Sequence, residues 1–322
     1  MARRIVFNGE QLVNVEEYTP TETLNPNQVR VAGICSLMST GTENIVLNRL
    51  FDPGTHWDQW VKYPFYPGYS YLGEVTELGA DVTRLSLGQR VVLRAGHATE
   101  QIVDADRCLP VPEAVDNQHA VWFALAKIAY TGAHAAAHTL GDKVLVVGGG
   151  PIGQLSARWA LAAGAKVGLV DRAAARLSIA QQAGPLHLFT GLLDEVADDI
   201  QTAFGAKPSI VIDTTGVASV FQQALALCGN HGKVVLLGDT GSPENQHLTS
   251  DVLGRGIHII GTHDSHHPDK APTQLLWELI ADGRINLRNM NTHQFSIDQA
   301  EEAYQLANRD RENTLGIIFH YR

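Results

Sequence analysis

The stretch from Lys143 to Gly153 reads KVLVVGGGPIG, and its reading decides the fold. The run KVLVV is apolar without alternation and is bounded by glycine, the pattern of a strand buried on both faces. It leads directly into Gly148, Gly150 and Gly153, spaced G-x-G-x-x-G. Gly148 permits the tight turn, Gly150 lets the backbone approach a pyrophosphate, and Gly153 lets the next helix lie close on the strand. Pro151 and Ile152 open that helix, where a missing N–H at the first position costs nothing. The helix N-terminus offers unpaired N–H groups and a partial positive charge to an anion. Asp171 closes the following strand, AKVGLVD, at about the twenty-residue spacing where a carboxylate can bind the 2′-hydroxyl of an adenosine ribose. Such a carboxylate repels a 2′-phosphate, so NAD(H) is expected over NADP(H), with Arg172 beside it weakening that preference. The alternative is a glycine turn without a ligand and an Asp171 that caps the following helix.

Outward from this turn the alternation continues. SIVIDTTG, KVVLLGD and IHIIG are further strands, and residues 151–163 and 173–183 read as helices. The βαβαβ order predicts an α/β fold with a doubly wound parallel sheet. Upstream, RIVFNG, LVNVEEY, QVRVAGICS and RVVLRAG are short β-branched runs broken by Gly, Pro or Asn. An Ala-rich helical stretch, interrupted by Gly132, is expected from His119 to His138. After Gly261 the alternation stops, and a helix at Pro272–Asp282 and a last strand at Gly316–His320 are expected. The doubly wound unit thus sits mid-chain, and the two ends are expected to join in a second domain.

The 322 residues suffice for about two domains. With 44% apolar and 18% charged residues the chain can bury a core, which excludes disorder as its main state. The 24 Lys+Arg against 34 Asp+Glu leave a net charge of −10, which argues against nucleic acid as a partner. No apolar stretch is long enough to cross a bilayer, and no apolar run follows the two arginines of MARRIVFNGE, so neither a membrane partner nor a secretory signal is expected. Cys35, Cys108 and Cys228 are widely spaced and odd in number, so neither a disulfide framework nor a CxxC knuckle is expected. A reduced, cytoplasmic protein is the expectation.

A β-rich start, a central dinucleotide fold and a returning C-terminal segment resemble the medium-chain dehydrogenase/reductase superfamily. Gly73 to Val91 is similar to that family's G-x-V, G-x-x-V and G-D-R-V series, with Gln89 in place of the usual Asp. LRAGHATEQIV resembles its G-x-A-E-Y strand, with Thr99 intervening before Glu100, and Thr131-Gly132 resembles its T-G-x-x-A. The resemblance implies a β-rich GroES-like catalytic domain from residues 1–127 and 263–322, and a Rossmann domain from 128–262. It implies cofactor contacts at Thr131, Thr214 and Gly238, and nicotinamide held in a cleft. The last Rossmann strand, IHIIG, resembles the edge that pairs two subunits, so a homodimer is expected.

The departures are informative. Where zinc alcohol dehydrogenases of the family hold their metal with Cys, His and Cys, this chain reads Thr40, Tyr69 and Lys127. These cannot make the thiolate and imidazole set that zinc takes, and the four-cysteine lobe is missing too, so no metal is expected. The TGTE wording resembles the zinc-independent branch that contains bacteriochlorophyllide dehydrogenase, which implies dehydrogenation of a secondary alcohol. Without a metal, side chains must polarise oxygen and carry the proton. Lys127 is the candidate base, or else a solvated lysine with a packed stem. Tyr69 is a candidate hydrogen-bond partner of the substrate oxygen, or a plain half-buried tyrosine. By the resemblance, Thr42 corresponds to a relay hydroxyl and Glu43 to an outer-sphere Asp that here orients or balances Lys127. The bland reading of both is a helix start, with Thr40 or Thr42 as cap and Glu43 offsetting the dipole.

The loop from Leu47 to Pro67 carries His56, Trp57, Trp60, Tyr63, Phe65 and Tyr66. It either lines a site for a flat or sugar-like substrate, with His56 and Trp57 as contacts, or anchors itself on its own domain. His263, with His266 and His267 nearby, is expected to contact substrate rather than metal. The expected activity is NAD(H)-linked hydride transfer between a small-molecule secondary alcohol and its ketone, on a polyol, a sugar derivative or a larger ring compound. An NADPH-type quinone or enoyl reductase and a non-catalytic NAD-binding regulator are the alternatives.

Overall fold

A computed structural model describes residues 1–239, 241–242 and 245–321. The chain divides into two compact units, one of Met1–Ala124, Thr273–Ala281 and Met290–Arg322, the other of Leu125–Pro272 and Asp282–Asn289. In the first unit, β1 (Ala2–Gly9) and β2 (Leu12–Tyr18) form an antiparallel ribbon. Strand β3 (Gln28–Met38) is the spine of the larger sheet. After it come α1 (Thr42–Leu47) and α2 (His56–Trp60), then β4 (Tyr71–Leu78), β5 (Arg90–Leu93), β6 (Glu100–Asp104) and β7 (Leu109–Pro110). α3 (Asn117–Ala120) closes this run, and α4 (Phe123–Ala136) carries the chain into the second unit.

The second unit is the doubly wound domain. Its elements are β8 (Lys143–Val147), α5 (Pro151–Ala162), β9 (Lys166–Asp171), α6 (Ala174–Ala180), β10 (His187–Thr190), α7 (Ala197–Phe204), β11 (Ile210–Asp213), α8 (Ala218–Leu227), β12 (Lys233–Leu236), α9 (Asp251–Arg255) and β13 (His258–Gly261). Its strands are all paired in parallel in the order β10-β9-β8-β11-β12-β13. The order reverses between β8 and β11, the crevice where such sheets bind ligands. Strand pleating explains the unbroken apolar runs. Val144 and Val146 pack into one buried cluster, and Leu145 and Val147 into the other. Strand β13 lies at the sheet edge, as expected.

The chain ends with α10 (Lys270–Ala281), β14 (Asn291–Ser296), α11 (Ala300–Arg309) and β15 (Gly316–His320). Strands β14 and β15 extend the first sheet, whose order is β14-β15-β3-β4-β5-β7 with β6 beside β3. Helix α11 buries Ala300, Ala303, Tyr304 and Ala307, the i, i+3, i+4, i+7 face that covers this sheet's core.

Three expectations are corrected. The first boundary falls at Ala124/Leu125, and residues 263–272 and 282–289 belong with the dinucleotide unit. The cause is polar anchoring. Lys127 holds Asp264, Arg158 Nε donates to Asn286 O at 2.9 Å, and Arg284 Nη2 donates to Ala162 O at 2.5 Å. The helix expected from His119 to His138 is two helices, broken at Val121–Trp122. Gly132 does not interrupt α4. A Cβ there would stand 2.8 Å from Leu237 Cδ2, so glycine serves close packing. Among the described residues no helix is long and apolar enough to cross a membrane.

Candidate functional site

The glycine-rich turn after β8 forms as its glycines require. Gly148 has φ +95°, Gly150 is the extended N-cap of α5, and Pro151 takes the first helical position ahead of Ile152. A Cβ on Gly153 would lie 1.7 Å from Gly148 O, so the helix and strand approach each other as only glycine allows. A Cβ on Gly150 would meet nothing within 4 Å, leaving open space above the backbone where an anion would lie. Asp171 Oδ2 accepts from Gly149 N at 2.6 Å, and its Oδ1 accepts from Ala173 N at 2.7 Å. The carboxylate thus braces the turn and starts the next helix, while remaining at the end of β9. Arg176 Nη1 lies 3.6 Å from Asp171 Oδ2, and Arg172 is exposed.

Thr214 and Gly238 line the neighbouring strand ends. Thr214 Oγ1 donates to Val147 O at 2.8 Å, and a Cβ on Gly238 would stand 2.4 Å from Gly216 N. Between them Asp213 is buried and accepts from Thr215 N and Oγ1 at 2.8 and 2.7 Å, and burial pushes its carboxyl pKa up. Thr131 is corrected as a cofactor contact: it is buried, and its hydroxyl donates to Lys127 O one turn back at 3.1 Å. Sequence reasoning missed Gln154 and Arg158. Buried Gln154 donates to Gly149 O and Arg176 O at 3.1 and 2.7 Å, and Arg158 Nη1 donates to Gln154 Oε1 at 2.9 Å. This string locks the turn from beneath, and burial brings the Arg158 guanidinium down to about 10. Three polar residues, Gln154, Ser156 and Arg158, in the buried run of an otherwise apolar helix were the available signal.

In the first unit, Tyr69 and Thr42 meet. The Tyr69 phenol donates to Ser39 Oγ at 2.6 Å and is also hydrogen-bonded to Thr42. Burial pushes its pKa up; the Ser39 and Thr42 hydroxyls, and Arg94 with its guanidinium 5.5 Å from the ring centroid, pull it down. Glu43 lies behind this group, 2% exposed. Its Oε1 accepts from Ser39 N at 2.7 Å, and its Oε2 accepts from Tyr304 OH and stands 3.0 Å from His97 Nε2. Glu43, expected to orient or balance Lys127, is thus engaged within its own unit by Ser39, Tyr304 and His97. The capping reading is corrected as well, because Gly41 is the N-cap of α1 and no side chain caps it.

Lys127 belongs to the dinucleotide unit and is 4% exposed. Its ammonium donates to the Asp264 carbonyl and, at 2.9 Å, to the Asp264 carboxylate, with Asp269 Oδ1 at 3.7 Å. It is neither solvated nor free, so it clamps the segment after β13. His263 is exposed and caps a short turn in that segment, its Nδ1 2.8 Å from Ser265 Oγ. His267 instead packs edge-on against His134, ring centroids 4.5 Å apart. Trp57 is corrected as a substrate contact: it is 5% exposed and belongs to the core with Phe51 and Tyr63. His56 is exposed, 5.3 Å from the Trp57 ring centroid, and Trp60 is 52% exposed. The loop thus anchors itself.

The donor set does not fit zinc. Thr40 Oγ1 is turned to Leu315 O at 3.5 Å, Tyr69 to Ser39, and Lys127 to Asp264. Cys35 is buried, and burial pushes its thiol up to about 12. No group of three His, Cys, Asp or Glu is placed to hold a metal ion among the described residues.

Residues 28–146 match the alcohol dehydrogenase GroES-like domain family, and residues 151–282 the family described as zinc-binding dehydrogenase. Sorbitol dehydrogenase of Mus musculus is 25% identical over 95% of this chain and 92% of its own. Among solved structures, the short chain alcohol dehydrogenase RspB of E. coli CFT073, complexed with NADH, superposes with a TM-score of 0.86 at 20% identity, covering 99% of both chains. A dehydrogenase of Sinorhizobium meliloti 1021 bound to NADP gives 0.84 at 20% identity, again over 99% of both. These structural likenesses fix the fold, a GroES-like unit with a Rossmann sheet.

Proposed function

We propose that this chain, whose residues 28–146 and 151–282 match the alcohol dehydrogenase GroES-like and zinc-binding dehydrogenase families, is a metal-independent oxidoreductase that moves hydride between NAD(H) and a secondary alcohol or its ketone. A polyol or sugar-derived substrate agrees with the sorbitol dehydrogenase relative. One observation carries the reading. At the place of a family metal ligand stands Tyr69, whose phenol is hydrogen-bonded to two further hydroxyls, Ser39 and Thr42. A phenol in such a group can hold or release a proton at the substrate oxygen, the task a metal-bound alcohol otherwise needs the ion for.

The turn from Gly148 to Gly153 and the Asp171 carboxylate would hold a dinucleotide by its pyrophosphate and adenosine ribose. A bound nicotinamide coenzyme supplies the hydride donor or acceptor. The chain's own residues supply the rest. Burial favours the neutral phenol of Tyr69, so Tyr69 serves as proton donor when the ketone is reduced. Thr42 and Ser39 steady the oxygen left behind. Lys127 acts by fixing the segment after β13 through Asp264.

The test is steady-state turnover with NADH and NADPH on a panel of ketones, sugar ketones and quinones, before and after chelator treatment with metal content measured. Undiminished NADH-linked ketone reduction in metal-free enzyme supports the reading; loss of activity that zinc restores ends it. Arg172, exposed beside Asp171, and Arg176, 3.6 Å from it, favour NADPH as a second reading, which the same panel separates. We also propose a homodimer through the open edge of β13.

A further inference from the structure

Ser39 carries none of the sequence signals of a functional residue, yet it is the direct partner of the Tyr69 phenol. It is 5% exposed, and its Oγ accepts the phenolic O–H at 2.6 Å. Its backbone is held from two directions. Ser39 N donates to Glu43 Oε1 at 2.7 Å, and Glu43 N donates to Ser39 O at 2.9 Å. The Glu43 carboxylate is in turn fixed by Tyr304 OH and by His97 Nε2 at 3.0 Å. His97 Nδ1 lies 2.6 Å from Ser36 Oγ, which also meets Tyr321 OH. Ser36, Glu43, His97 and Tyr304 are all no more than 2% exposed. A polar string this deep is costly unless its members satisfy one another, and then it admits one arrangement. It therefore sets the position of Ser39 to within the play of its own hydrogen bonds.

We infer that Ser39 is a positioning residue for Tyr69, with Glu43 and His97 as its buried anchor; this rests on the reading of Tyr69 as the proton carrier. A hydroxyl suits the place for a chemical reason. A serine O–H accepts from a neutral phenol and, by rotating about its C–O bond, donates to a phenolate. It thus pairs with Tyr69 before and after proton transfer and needs no proton of its own to leave. A carboxylate there could only accept, an alkyl group could do neither, and an amide would have to turn end over end to follow the change. Glu43, with its oxygens engaged by Ser39, Tyr304 and His97, acts through Ser39 and does not touch substrate.

The experiment compares Ser39→Ala, Ser39→Thr and Tyr69→Phe in the full-length enzyme. For Ser39→Ala we expect kcat for ketone reduction to fall about tenfold or more, the alkaline limb of the kcat–pH profile to move to higher pH, and NADH affinity to stay as in the parent. Ser39→Thr, which keeps the hydroxyl, restores both rate and profile. A second readout needs no turnover. With 13Cζ-labelled tyrosine, the Tyr69 resonance, assigned by its loss in Tyr69→Phe, shifts in Ser39→Ala and returns in Ser39→Thr. An unmoved resonance overturns the inference, as does an unmoved pH limb. If Ser39→Ala fails to fold, Ser39→Cys repeats the comparison with a weak acceptor of similar shape. Should Tyr69→Phe retain full turnover, the proton-carrier reading falls, and the Tyr69 resonance still decides the Ser39 contact.

Discussion

Gly153 and Gly150 belong to one motif, and the structure assigns them different physical tasks. A single pair of alanine variants separates the tasks. On Gly153 a Cβ would stand 1.7 Å from Gly148 O, where real contacts are essentially never under 3.0 Å. Helix α5 must then draw away from β8 by at least about 1.3 Å, opening a packed layer. Overpacking of this kind costs about 1–3 kcal/mol, sometimes more. For a unit of this size that is a melting temperature lower by roughly 2–12 °C, at about 2–4 °C per kcal/mol. On Gly150 a Cβ meets nothing within 4 Å, and the backbone there is ordinary, φ −66° and ψ −178°. Alanine in place of glycine at a helix N-cap costs roughly 0.5–1 kcal/mol, and the stiffer unfolded chain returns about as much. Gly150→Ala should therefore melt within about 2 °C of the parent. Its effect belongs to the ligand: the methyl occupies the space a pyrophosphate needs, so NADH affinity falls at least about tenfold, or 1.4 kcal/mol. The assays are thermal unfolding followed by circular dichroism and NADH fluorescence titration. A Gly150→Ala protein that binds NADH like the parent refutes the placement of the dinucleotide over this turn. A Gly153→Ala protein with parental melting refutes the packing argument.

Lys127→Met leaves the Asp264 and Asp269 carboxylates facing an apolar group; since those carboxylates are about 30% exposed, the loss is about 1–3 kcal/mol rather than the full cost of breaking a buried pair. The double variant Lys127→Met/Asp264→Asn should recover part of it in chemical denaturation, and strict additivity would show that the pair is not coupled. His138 has both ring nitrogens buried without a partner among the described residues, and burial, with Lys233 nearby, lowers its pKa below the ordinary 6.5. The folded chain then binds fewer protons than the unfolded one, so this contribution to stability is whole above the ordinary histidine value and is lost as pH falls through it toward the lower folded value. His138→Leu should flatten the stability–pH curve over that acid window, and an unchanged slope would remove His138 from the account. On β13, His258 N and Thr262 N donate toward the β12 side, so alternation turns the Ile259 and Gly261 N–H groups outward. Ile259→Pro should dissociate the proposed dimer in light scattering while the unit stays folded, and an intact dimer would place the interface elsewhere.

The dinucleotide unit was legible because its information is local. The glycine spacing, the unbroken β8 run and Asp171 lie within one βαβ stretch, and each residue's task follows from its neighbours in sequence. The β13 edge position was expected from the family resemblance instead, and the sheet order agrees with it. The braces were not legible. Gln154 and Arg158 bind Gly149 and Asn286 across turns whose approach no periodicity records. The aromatic loop misled for a related reason. Trp57 sits in a polar-looking segment of His, Asp and Gln, and only the fold shows that it faces the core beside Phe51.

The candidate site was half legible, and the division follows sequence separation. Tyr69 and Thr42 were marked by what the family carries at those places, and the structure brings them together. Their supports lie far away in sequence. Tyr304 reaches Glu43 from 261 residues on, and Asp264 reaches Lys127 from 137 residues on. A charge pattern names candidate partners without choosing among them, so Lys127 and Glu43 were natural to pair and are each held by another group. The choice is made by burial. Both charges are no more than 4% exposed, and an unpaired charge so deep would destabilise its own unit at once. Each therefore takes the opposite charge or polar cluster that its own unit supplies: Asp264 for the lysine, and Ser39, His97 and Tyr304 for the glutamate. On the function proposed above, the proton chemistry would then fall to groups that change protonation or hydrogen-bond direction without leaving a buried charge unmatched, such as the hydroxyls of Tyr69, Ser39 and Thr42 in the first unit.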